Sequence, residues 1–279
     1  MSSVATRAIA LLHPGAMGVT VGATLAASGH RVGWLVEGRS AATRRRAEEA
    51  GFQPFDDLEA LLAGADGVVS VCPPDAALDV AGRVAGSRFA GTYVDANAVS
   101  PDTARRLESL FGARLVDGGI IGPPAHRSGT TRLYLSGPAA AEVAGWFRAD
   151  PLAVIALDGP VGAASALKMC YAAYTKGSTA LLLAVRALAE AEGVSAALLD
   201  EWRISQGGLA ERSEAVARGS AGKAWRFVGE MHEIADTFES AGLPGGFHRA
   251  AADLYQRMTP LKDENADLAD VLALLLQRA

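Results

Sequence analysis

The first forty residues hold the pattern that most restricts the fold: a strand, a turn marked by glycines, a helix and a second strand. The apolar run Ala8–Leu12 comes first, a helix of small and apolar residues follows over Val19–Ser28, and Arg31–Val36 supplies the next strand. Strands that alternate with helices are typical of βαβ units and parallel sheets. The chain is therefore predicted to begin with an α/β domain.

The turn between this strand and its helix has the composition of a phosphate-binding turn. It consists of His13, Pro14, Gly15, Ala16, Met17 and Gly18. Gly15 would let the backbone approach a pyrophosphate, and Gly18 would let the helix pack closely on its strand. His13 stands where the usual motif has its first glycine. We predict that this turn binds a nucleotide; the alternative is an ordinary connection between a strand and a helix.

The whole chain divides into two parts with different patterns. Up to about residue 158, short apolar strands alternate with helices, which predicts a doubly wound, mostly parallel sheet. The later strands are expected at Gly67–Val71, Thr92–Asp95, Arg114–Asp117 and Thr131–Ser136. Beyond that point only helices are expected. The predicted organisation is a Rossmann domain over residues 1–158 and an all-α domain over residues 159–279.

A long helix over Ala163–Ala191 is expected to open the second domain and to form the spine between the two. It has nearly thirty residues, or about 40 Å of length, and is apolar on most of its faces. We expect these apolar faces to be buried by the rest of the domain and by a second copy of the chain. We therefore predict a homodimer.

Composition and charge exclude several classes of function. Hydrophobic residues make up 50% of the chain, and the formal net charge of −5 argues against a nucleic-acid-binding surface. Two cysteines suit a reducing compartment. No signal peptide and no segment long enough to cross a bilayer is recognised. We expect a cytoplasmic protein with no membrane or nucleic-acid partner, and with no metal, because no His or Cys cluster has the spacing of metal ligands.

A second contact with the nucleotide is expected just after the strand Arg31–Val36. Ligands of doubly wound sheets bind at the carboxyl ends of the strands, which places Glu37, Arg39 and Ser40 beside the adenosine ribose. Glu37 would accept hydrogen bonds from the ribose hydroxyls and repel a 2′-phosphate, whereas Arg39 and Ser40 suit a phosphate. NADP is favoured over NAD; a simple solvent-exposed turn is the alternative.

Two further strand ends carry candidate residues. Cys72, Pro73 and Pro74 form a rigid ledge over which the ribose of a cofactor would run, unless the prolines only end the strand. Asn97 follows the strand Thr92–Asp95 and offers a carboxamide that would hydrogen-bond the cofactor or the substrate. Both segments are predicted to lie at the same edge of the sheet.

The segment after the strand Arg114–Asp117 is expected to be a loop that holds the substrate. It contains Gly118, Gly119, Ile120, Ile121 and Gly122, followed by two prolines. Glycine and proline shape loops, and backbone amides in such a loop bind carboxylates. The alternative is a plain crossover connection.

Lys168 is the strongest candidate for acid–base chemistry. It lies on the first turns of the long helix between Leu167 and Met169, where an exposed charge would be out of place. An ammonium in a partly apolar cleft has a lowered pKa and exchanges a proton with a hydroxyl or carbonyl oxygen. The alternatives are a snorkelling side chain at a domain boundary and a competing role for Lys176.

Helical spacing brings other candidates close to Lys168. Ser165 and Thr175 share its face of the helix, and Tyr171 and Tyr174 adjoin that face. Tyr171 and Thr175 are predicted to contact the substrate. His232 stands alone on a later amphipathic helix and is a further substrate candidate, although most such histidines are structural.

Together these residues resemble the β-hydroxyacid dehydrogenase superfamily, which includes 3-hydroxyisobutyrate and 6-phosphogluconate dehydrogenases. The resemblance rests on the turn at 15–18, on Asp95-Ala96-Asn97, on the glycines of 118–122 and 129–137, and on Lys168. Members join a Rossmann domain to an all-α dimerisation domain through a long helix that bears a catalytic lysine. A divergent, phosphogluconate-dehydrogenase-like branch with its own C-terminal domain is more similar still.

The chain departs from the family pattern at four places. His13 replaces a glycine, and Ile121-Gly122-Pro123 replaces a Ser-Gly-Gly loop. Ala172 replaces an asparagine one turn after the lysine, and Glu230 stands where a lysine near the cofactor is expected. These departures leave the substrate open.

Together with Arg39 and Ser40, the resemblance implies an NADP-dependent oxidoreductase that moves hydride between the cofactor and a small hydroxy acid or its keto form. Lys168 would act as the general acid or base, and Asn97 would orient the substrate. Two alternatives stay open. One is an imine reductase of the same plan, with Tyr171, Tyr174 or His232 as proton donor, and the other is a nucleotide-binding protein without turnover.

Overall fold

The computed structural model describes residues 5–277, which form two compact units that divide between Met169 and Cys170. The first unit is built on one sheet of eight strands. Its strands are β1 (Ala8–Leu12), β2 (Arg31–Leu35), β3 (Gln53–Phe55), β4 (Gly67–Ser70), β5 (Thr92–Asp95), β6 (Leu115–Ile121), β7 (Arg132–Ser136) and β8 (Ala153–Ala156). The second unit has only helices in its described residues.

The order of the strands is β3-β2-β1-β4-β5-β6-β7-β8, and every neighbouring pair is parallel except β6 and β7. The first six strands follow the order of the dinucleotide-binding Rossmann fold, in which the chain reverses direction across the sheet between β1 and β4. The predicted fold class, a mostly parallel doubly wound sheet followed by helices, is confirmed.

The helices differ from the expected ones mainly at their ends. Their bounds are α1 (Gly18–Ala27), α2 (Ala41–Glu49), α3 (Leu58–Leu62), α4 (Ala77–Ala85), α5 (Pro101–Phe111), α6 (Ala140–Ala144), α7 (Ala163–Ala191), α8 (Ser195–Ser205), α9 (Leu209–Ser220), α10 (Ala224–Ser240), α11 (Gly246–Arg257) and α12 (Leu268–Leu275). The long helix has the predicted bounds. The short elements β3, α6 and β8 are not predicted, because three to five residues carry little periodicity.

Alternation along the strands builds a core on each side of the sheet. In β1, Ile9 and Leu11 join one buried cluster, while Ala10 and Leu12 join the other. Successive side chains of a strand point to opposite faces, so a strand covered on both faces is apolar throughout. Both faces of the sheet are therefore packed, and ligands reach it only at the ends of its strands.

Side-chain caps fix where several helices begin. The hydroxyl of Ser40 accepts a hydrogen bond from the Thr43 amide at the start of α2, and the Ser100 hydroxyl does the same for Thr103 at the start of α5. Pro101 follows Ser100 at the first helical position, where a missing amide hydrogen costs nothing. These caps set the points at which the chain leaves β2 and β5.

In the second unit, α10 and α11 pack on each other through apolar faces. Met231 and Ile234 of α10 and Tyr255 of α11 are fully buried. On the surface, the Arg249 guanidinium pairs with Asp236 at 2.8 Å and with Glu239 at 2.5 Å. The apolar faces supply most of the stability here, because exposed ion pairs contribute little.

One face of α7 in the second unit carries exposed apolar side chains. Tyr171, Tyr174, Leu181 and Leu188 are 48%, 68%, 52% and 62% exposed. Their spacing of three or seven residues places them on one side of a helix. None of the helices in residues 5–277 is long and apolar enough to span a bilayer.

Candidate functional site

The turn after β1 leaves backbone amides available for a ligand. Met17 precedes α1 without a side-chain cap. Within residues 5–277, the amides of Ala16, Met17 and Gly18 donate no hydrogen bond. Unsatisfied amides at a helix N-terminus, together with the helix dipole, favour an anion.

The two glycines of this turn have different surroundings. A Cβ on Gly18 would lie 2.0 Å from the carbonyl oxygen of His13, so α1 packs here against the backbone. A Cβ on Gly15 would meet no described atom of the chain within 4 Å. The fold therefore requires a glycine at 18, whereas the face of Gly15 is open to a ligand.

His13 places an imidazole beside this turn. Burial, and then the charges of Arg39 and Arg83, lower the pKa of His13 from 6.5 to about 4. Its Nδ1 is buried and has no hydrogen-bond partner among the described residues. The ring is therefore neutral at pH 7 and adds no charge of its own to the turn.

Two arginines and a glutamate meet after β2. The Arg39 Nε donates to the Glu37 carbonyl at 3.0 Å, and an Nη atom of Arg83 donates to the Glu37 carboxylate at 3.3 Å. Burial and the charge of Arg83 lower the pKa of Arg39. Sequence patterns do not point to Arg83, because it lies in the last turn of α4, far along the chain. Ser40, predicted to suit a phosphate, uses its hydroxyl as the cap of α2.

Asn97 ties the ends of β4 and β5 together. Its Oδ1 accepts a hydrogen bond from the Cys72 amide at 2.6 Å, and its Nδ2 donates to the Ser70 hydroxyl at 3.2 Å and to the Asp95 carboxylate at 2.5 Å. Asn97 is 3% exposed. Its carboxamide thus holds the ledge that starts at Cys72, whereas the sequence predicts only a ligand contact.

The ledge itself is neutral. Burial raises the pKa of the Cys72 thiol to about 12, so the thiol stays protonated at neutral pH. Pro73 is exposed, and Pro74 starts a short 3-10 turn. A rigid, uncharged segment is well suited to lie along a sugar without attracting or repelling its phosphates.

Asp117 anchors the start of α7 to the sheet. Its buried carboxylate accepts hydrogen bonds from the amides of Gly162 and Ser165, at 2.9 and 3.0 Å, and from the Ser165 hydroxyl at 2.5 Å. The Ser136 hydroxyl donates to the same carboxylate at 2.9 Å and accepts from the Ala164 amide. A carboxylate at a helix N-terminus satisfies its free amides and complements its dipole.

Lys168 follows one helical turn after Ser165 and is half-buried. A Cβ on Gly119 of β6 would lie 3.0 Å from the Cβ of Lys168 and 2.7 Å from the Ala164 carbonyl oxygen. The glycine therefore lets α7 lie directly against β6. Through Asp117 and Gly119, the position of Lys168 is set by the sheet.

The loop predicted at 118–122 is instead a strand over four of its five residues. Gly118–Ile121 are buried within β6, and they pair with β7 in the antiparallel direction. Glycine is present because side chains would collide: a Cβ on Gly118 would lie 2.8 Å from the Asp95 carbonyl oxygen. Only Gly122, with a φ of 125°, lies in the turn beyond the strand.

The remaining candidates lie in the second unit. The Thr175 hydroxyl donates to the Tyr171 carbonyl at 3.1 Å, and His232 is exposed on α10. Lys176, the competing candidate, forms an ion pair with Glu230, and both side chains are 15% exposed. Glu230, found where the family has a lysine, thus neutralises Lys176.

In the part of the chain that the structure describes, no group of His, Cys, Asp and Glu side chains is arranged to hold a metal ion. The chemistry-bearing groups instead collect at the carboxyl ends of β1, β2, β4 and β5. This edge combines open amides, an open glycine face, two arginines and a neutral ledge. Each of these features fits a dinucleotide, with its pyrophosphate at the helix and its ribose beside β2.

Comparison with known proteins shows the family. An uncharacterised 28.5 kDa protein in the 7S RNA 5′ region of Methanothermus fervidus is 34% identical over 174 residues, which are 62% of this chain and 67% of that protein. Residues 189–258 match the model of a domain of unknown function, DUF1932. A conserved protein of unknown function, whose structure shows similarity to 3-hydroxyacid dehydrogenases, is 26% identical with a TM-score of 0.66, and the match covers 91% of this chain and 98% of that one. The chain belongs to the β-hydroxyacid dehydrogenase superfamily.

More distant members of this superfamily share its fold. The 3-hydroxyisobutyrate dehydrogenase of Mycobacterium tuberculosis, solved with L-serine, is 20% identical with a TM-score of 0.73, covering 98% of this chain and all of that one (100%). A reductive aminase from Aspergillus terreus, solved with NADPH and ethyl levulinate, is 20% identical with a TM-score of 0.57, covering 96% and 99%. At these identities the likeness concerns the arrangement of the backbone.

Substitution of the two turn glycines separates folding from binding. In Gly18→Ala the new Cβ meets a backbone oxygen, so we expect the free energy of unfolding to fall by about 2 kcal/mol. Gly15→Ala places its Cβ in open space and should leave stability unchanged or slightly raised. Urea unfolding measures both, and equal losses in the two variants would contradict the described turn.

Asp117→Asn should destabilise the first unit strongly. The amide replaces a carboxylate oxygen that accepts hydrogen bonds, which leaves buried donors at the start of α7 unpaired, at a cost of about 3 kcal/mol. Asp158→Asn is the matched control, since Asp158 is not tied into this buried network. The urea midpoint measures the effect; similar midpoints for the two variants would show that Asp117 does not anchor the helix.

Stability should depend on pH through His13. Between pH 6.5 and about 4 the unfolded chain binds a proton that the folded imidazole excludes, so stability falls as the pH is lowered through this window. The full effect is about 3 kcal/mol. The stability of His13→Gln should fall less steeply as the pH is lowered. The stability of His126→Gln, a variant at an exposed site, should follow that of the wild type. Parallel stability curves for all three proteins would remove His13 as the cause.

Proposed function

We propose that the chain is an NAD(P)-dependent oxidoreductase that binds its cofactor at the carboxyl ends of β1, β2, β4 and β5. The observation that carries this proposal is the turn after β1. Its amides at Ala16–Gly18 are open, and the face of Gly15 meets no atom of the described chain. A pyrophosphate needs both features, and a turn with a purely structural role needs neither.

The form of the cofactor is proposed to be NADP(H). Arg39 and Arg83 stand beside Glu37, so the position of the ribose carries more positive than negative charge. Guanidinium groups bind phosphate through paired hydrogen bonds. In this proposal NAD(H) binds more weakly, because it has no 2′-phosphate to pair with the two arginines.

Lys168 is proposed as the general acid and base. Lysine stands at only four positions, 168, 176, 223 and 262, whereas arginine supplies the other cations of the chain. An arginine cannot give up its proton near neutral pH, but a lysine can. The presence of a lysine rather than an arginine at position 168, on a helix anchored to the sheet, supports a role in proton transfer.

The proposed reaction interconverts a small hydroxy acid and its keto form. The cofactor, when bound, supplies or accepts a hydride. In reduction the Lys168 ammonium would donate a proton to the carbonyl oxygen, and in oxidation the neutral amine would take the hydroxyl proton. Asn97 acts through the Cys72 amide as a positioning residue. Gly122, Tyr171, Thr175 and His232 are the proposed substrate contacts.

We also propose that the chain forms a homodimer through the exposed face of α7. Four large apolar side chains, Tyr171, Tyr174, Leu181 and Leu188, lie along that face. Exposed large apolar side chains along one side of a helix are typical of an interface. A second copy would offer the same stripe, which suits a symmetric contact between two long helices.

The first experiment is a titration of the purified chain with NADPH and NADH, followed by nicotinamide fluorescence. Binding below millimolar concentration supports the proposal, and Gly15→Ala should weaken it without loss of stability. A folded wild type that binds neither cofactor would overturn the proposal. Keto acids and imines are then screened for NADPH consumption, and turnover of imines alone would select the imine reductase alternative.

Lys168→Ala should lower kcat by about a hundredfold or more, because a positioned acid or base contributes on this scale. The Kd for NADPH should change by less than about twofold, a factor worth under about 0.5 kcal/mol. Lys223→Ala is the matched control, since Lys223 is exposed. An unchanged kcat in Lys168→Ala would exclude this lysine from proton transfer, and loss of cofactor binding would assign it a structural role.

A further inference from the structure

We propose that Arg83 is a second ligand of the 2′-phosphate of NADP(H) and that Glu37 is its exchangeable counter-ion in the unliganded protein. The inference rests on the proposed binding of a nicotinamide dinucleotide and deepens it. It concerns the residues that let one site distinguish the two forms of the cofactor. Neither the sequence pattern nor the family match assigns a role to Arg83.

Arg83 reaches the ribose position from another part of the chain. It lies in the last turn of α4, which follows β4, whereas Glu37 and Arg39 follow β2. β1 lies between β2 and β4 in the sheet. The contact between an Arg83 Nη atom and the Glu37 carboxylate at 3.3 Å therefore spans the switch point of the fold, where nucleotides bind.

The positive charge at this position exceeds the negative charge. Arg39 and Arg44 form no ion pair with a carboxylate over the described range of the chain. Arg44 instead donates to the Arg39 carbonyl at 3.1 Å and to the Val36 carbonyl at 3.4 Å, which fixes the shape of the turn. Among the described residues, Glu37 is thus the one carboxylate that forms an ion pair with any of Arg39, Arg44 and Arg83. A phosphate dianion would balance this excess of positive charge.

Arg39 and Arg83 are also close enough to repel each other. Burial and the neighbouring charge of Arg83 both lower the pKa of Arg39, and both arginine charges act on His13. The Glu37 charge counteracts this effect on Arg39 but acts less strongly than the Arg83 charge, so two cations held side by side here remain unfavourable. A phosphate placed between them would turn this repulsion into attraction, since each guanidinium offers a fork of donors.

The pair between Glu37 and Arg83 is suited to exchange. Its side chains are 64% and 53% exposed, and exposed pairs of this kind are weak. Displacement of the Glu37 carboxylate from Arg83 by a phosphate therefore costs little free energy. While Arg83 stays paired, its charge also offsets the repulsion that Glu37 exerts on an approaching anion. With NADH, Glu37 is available to accept hydrogen bonds from the ribose hydroxyls.

The test compares cofactor affinities in the full chain. The Kd values of NADPH and NADH are measured by nicotinamide fluorescence for the wild type, Arg83→Met, Glu37→Gln and Arg88→Met. Arg88 is an exposed arginine three residues past the end of α4 and serves as the matched control. Competition by 2′,5′-ADP and by 5′-ADP against NADPH reports the 2′-phosphate separately from the nicotinamide half.

Arg83→Met should raise the Kd of NADPH about tenfold while the Kd of NADH changes less than about twofold. Displacement by 2′,5′-ADP should weaken in parallel, with displacement by 5′-ADP unchanged. Glu37→Gln should lower the Kd of NADPH by about threefold, because a competing carboxylate is removed, and should raise that of NADH. Arg88→Met should match the wild type.

Two results overturn the proposal in different ways. If the wild type binds both cofactors and the ratio of their Kd values is the same in all four proteins, Arg83 does not contact the 2′-phosphate, and the proposed function stands. The role of Arg83 is likewise excluded if Arg88→Met weakens NADPH as much as Arg83→Met does. If the folded wild type binds neither cofactor, the proposed function itself fails, and this proposal fails with it.

Discussion

The hydrogen bonds of the Asp117 carboxylate connect the sheet to the helix that carries Lys168. Asp117 is fully buried, and two amides and two hydroxyls satisfy its charge at the start of α7. A buried carboxylate is tolerated only with such partners, and a helix N-terminus supplies them. Lys168 lies one turn further along. The lysine is therefore placed by a charge that is itself fully buried.

At the other end of the candidate site, where β2 ends, the charged side chains are mainly arginines. The charges of Arg39 and Arg83 repel each other there, and partial burial together with these two charges keeps the His13 imidazole neutral. The neutral imidazole and the protonated thiol of Cys72 add no charge at this edge of the sheet. In the proposed function, recognition of anionic groups near β2 is separated along the sheet from proton exchange near β6.

The sequence was sufficient for features that depend on neighbouring residues. The strand, turn and helix around Gly15 and Gly18 and the bounds of α7 all follow from local periodicity. Other features depend on segments that meet only in the fold: the contact between Arg83 and Glu37, the anchoring role of Asp117 and the strand at Gly118–Ile121. Glycines 118 and 119 predict a loop because glycine favours turns, but here they admit the close approach of β5 and of α7.

One edge of the sheet has a consequence for how copies of the chain meet. β3 forms that edge with three residues, Gln53–Phe55, and its central residue is Pro54, which has no amide hydrogen to donate. A neighbouring chain that tried to continue the sheet there would find too few donors to form a ladder. Sheet-to-sheet aggregation is therefore discouraged along β3, which lies next to β2 and the turn that holds Arg39.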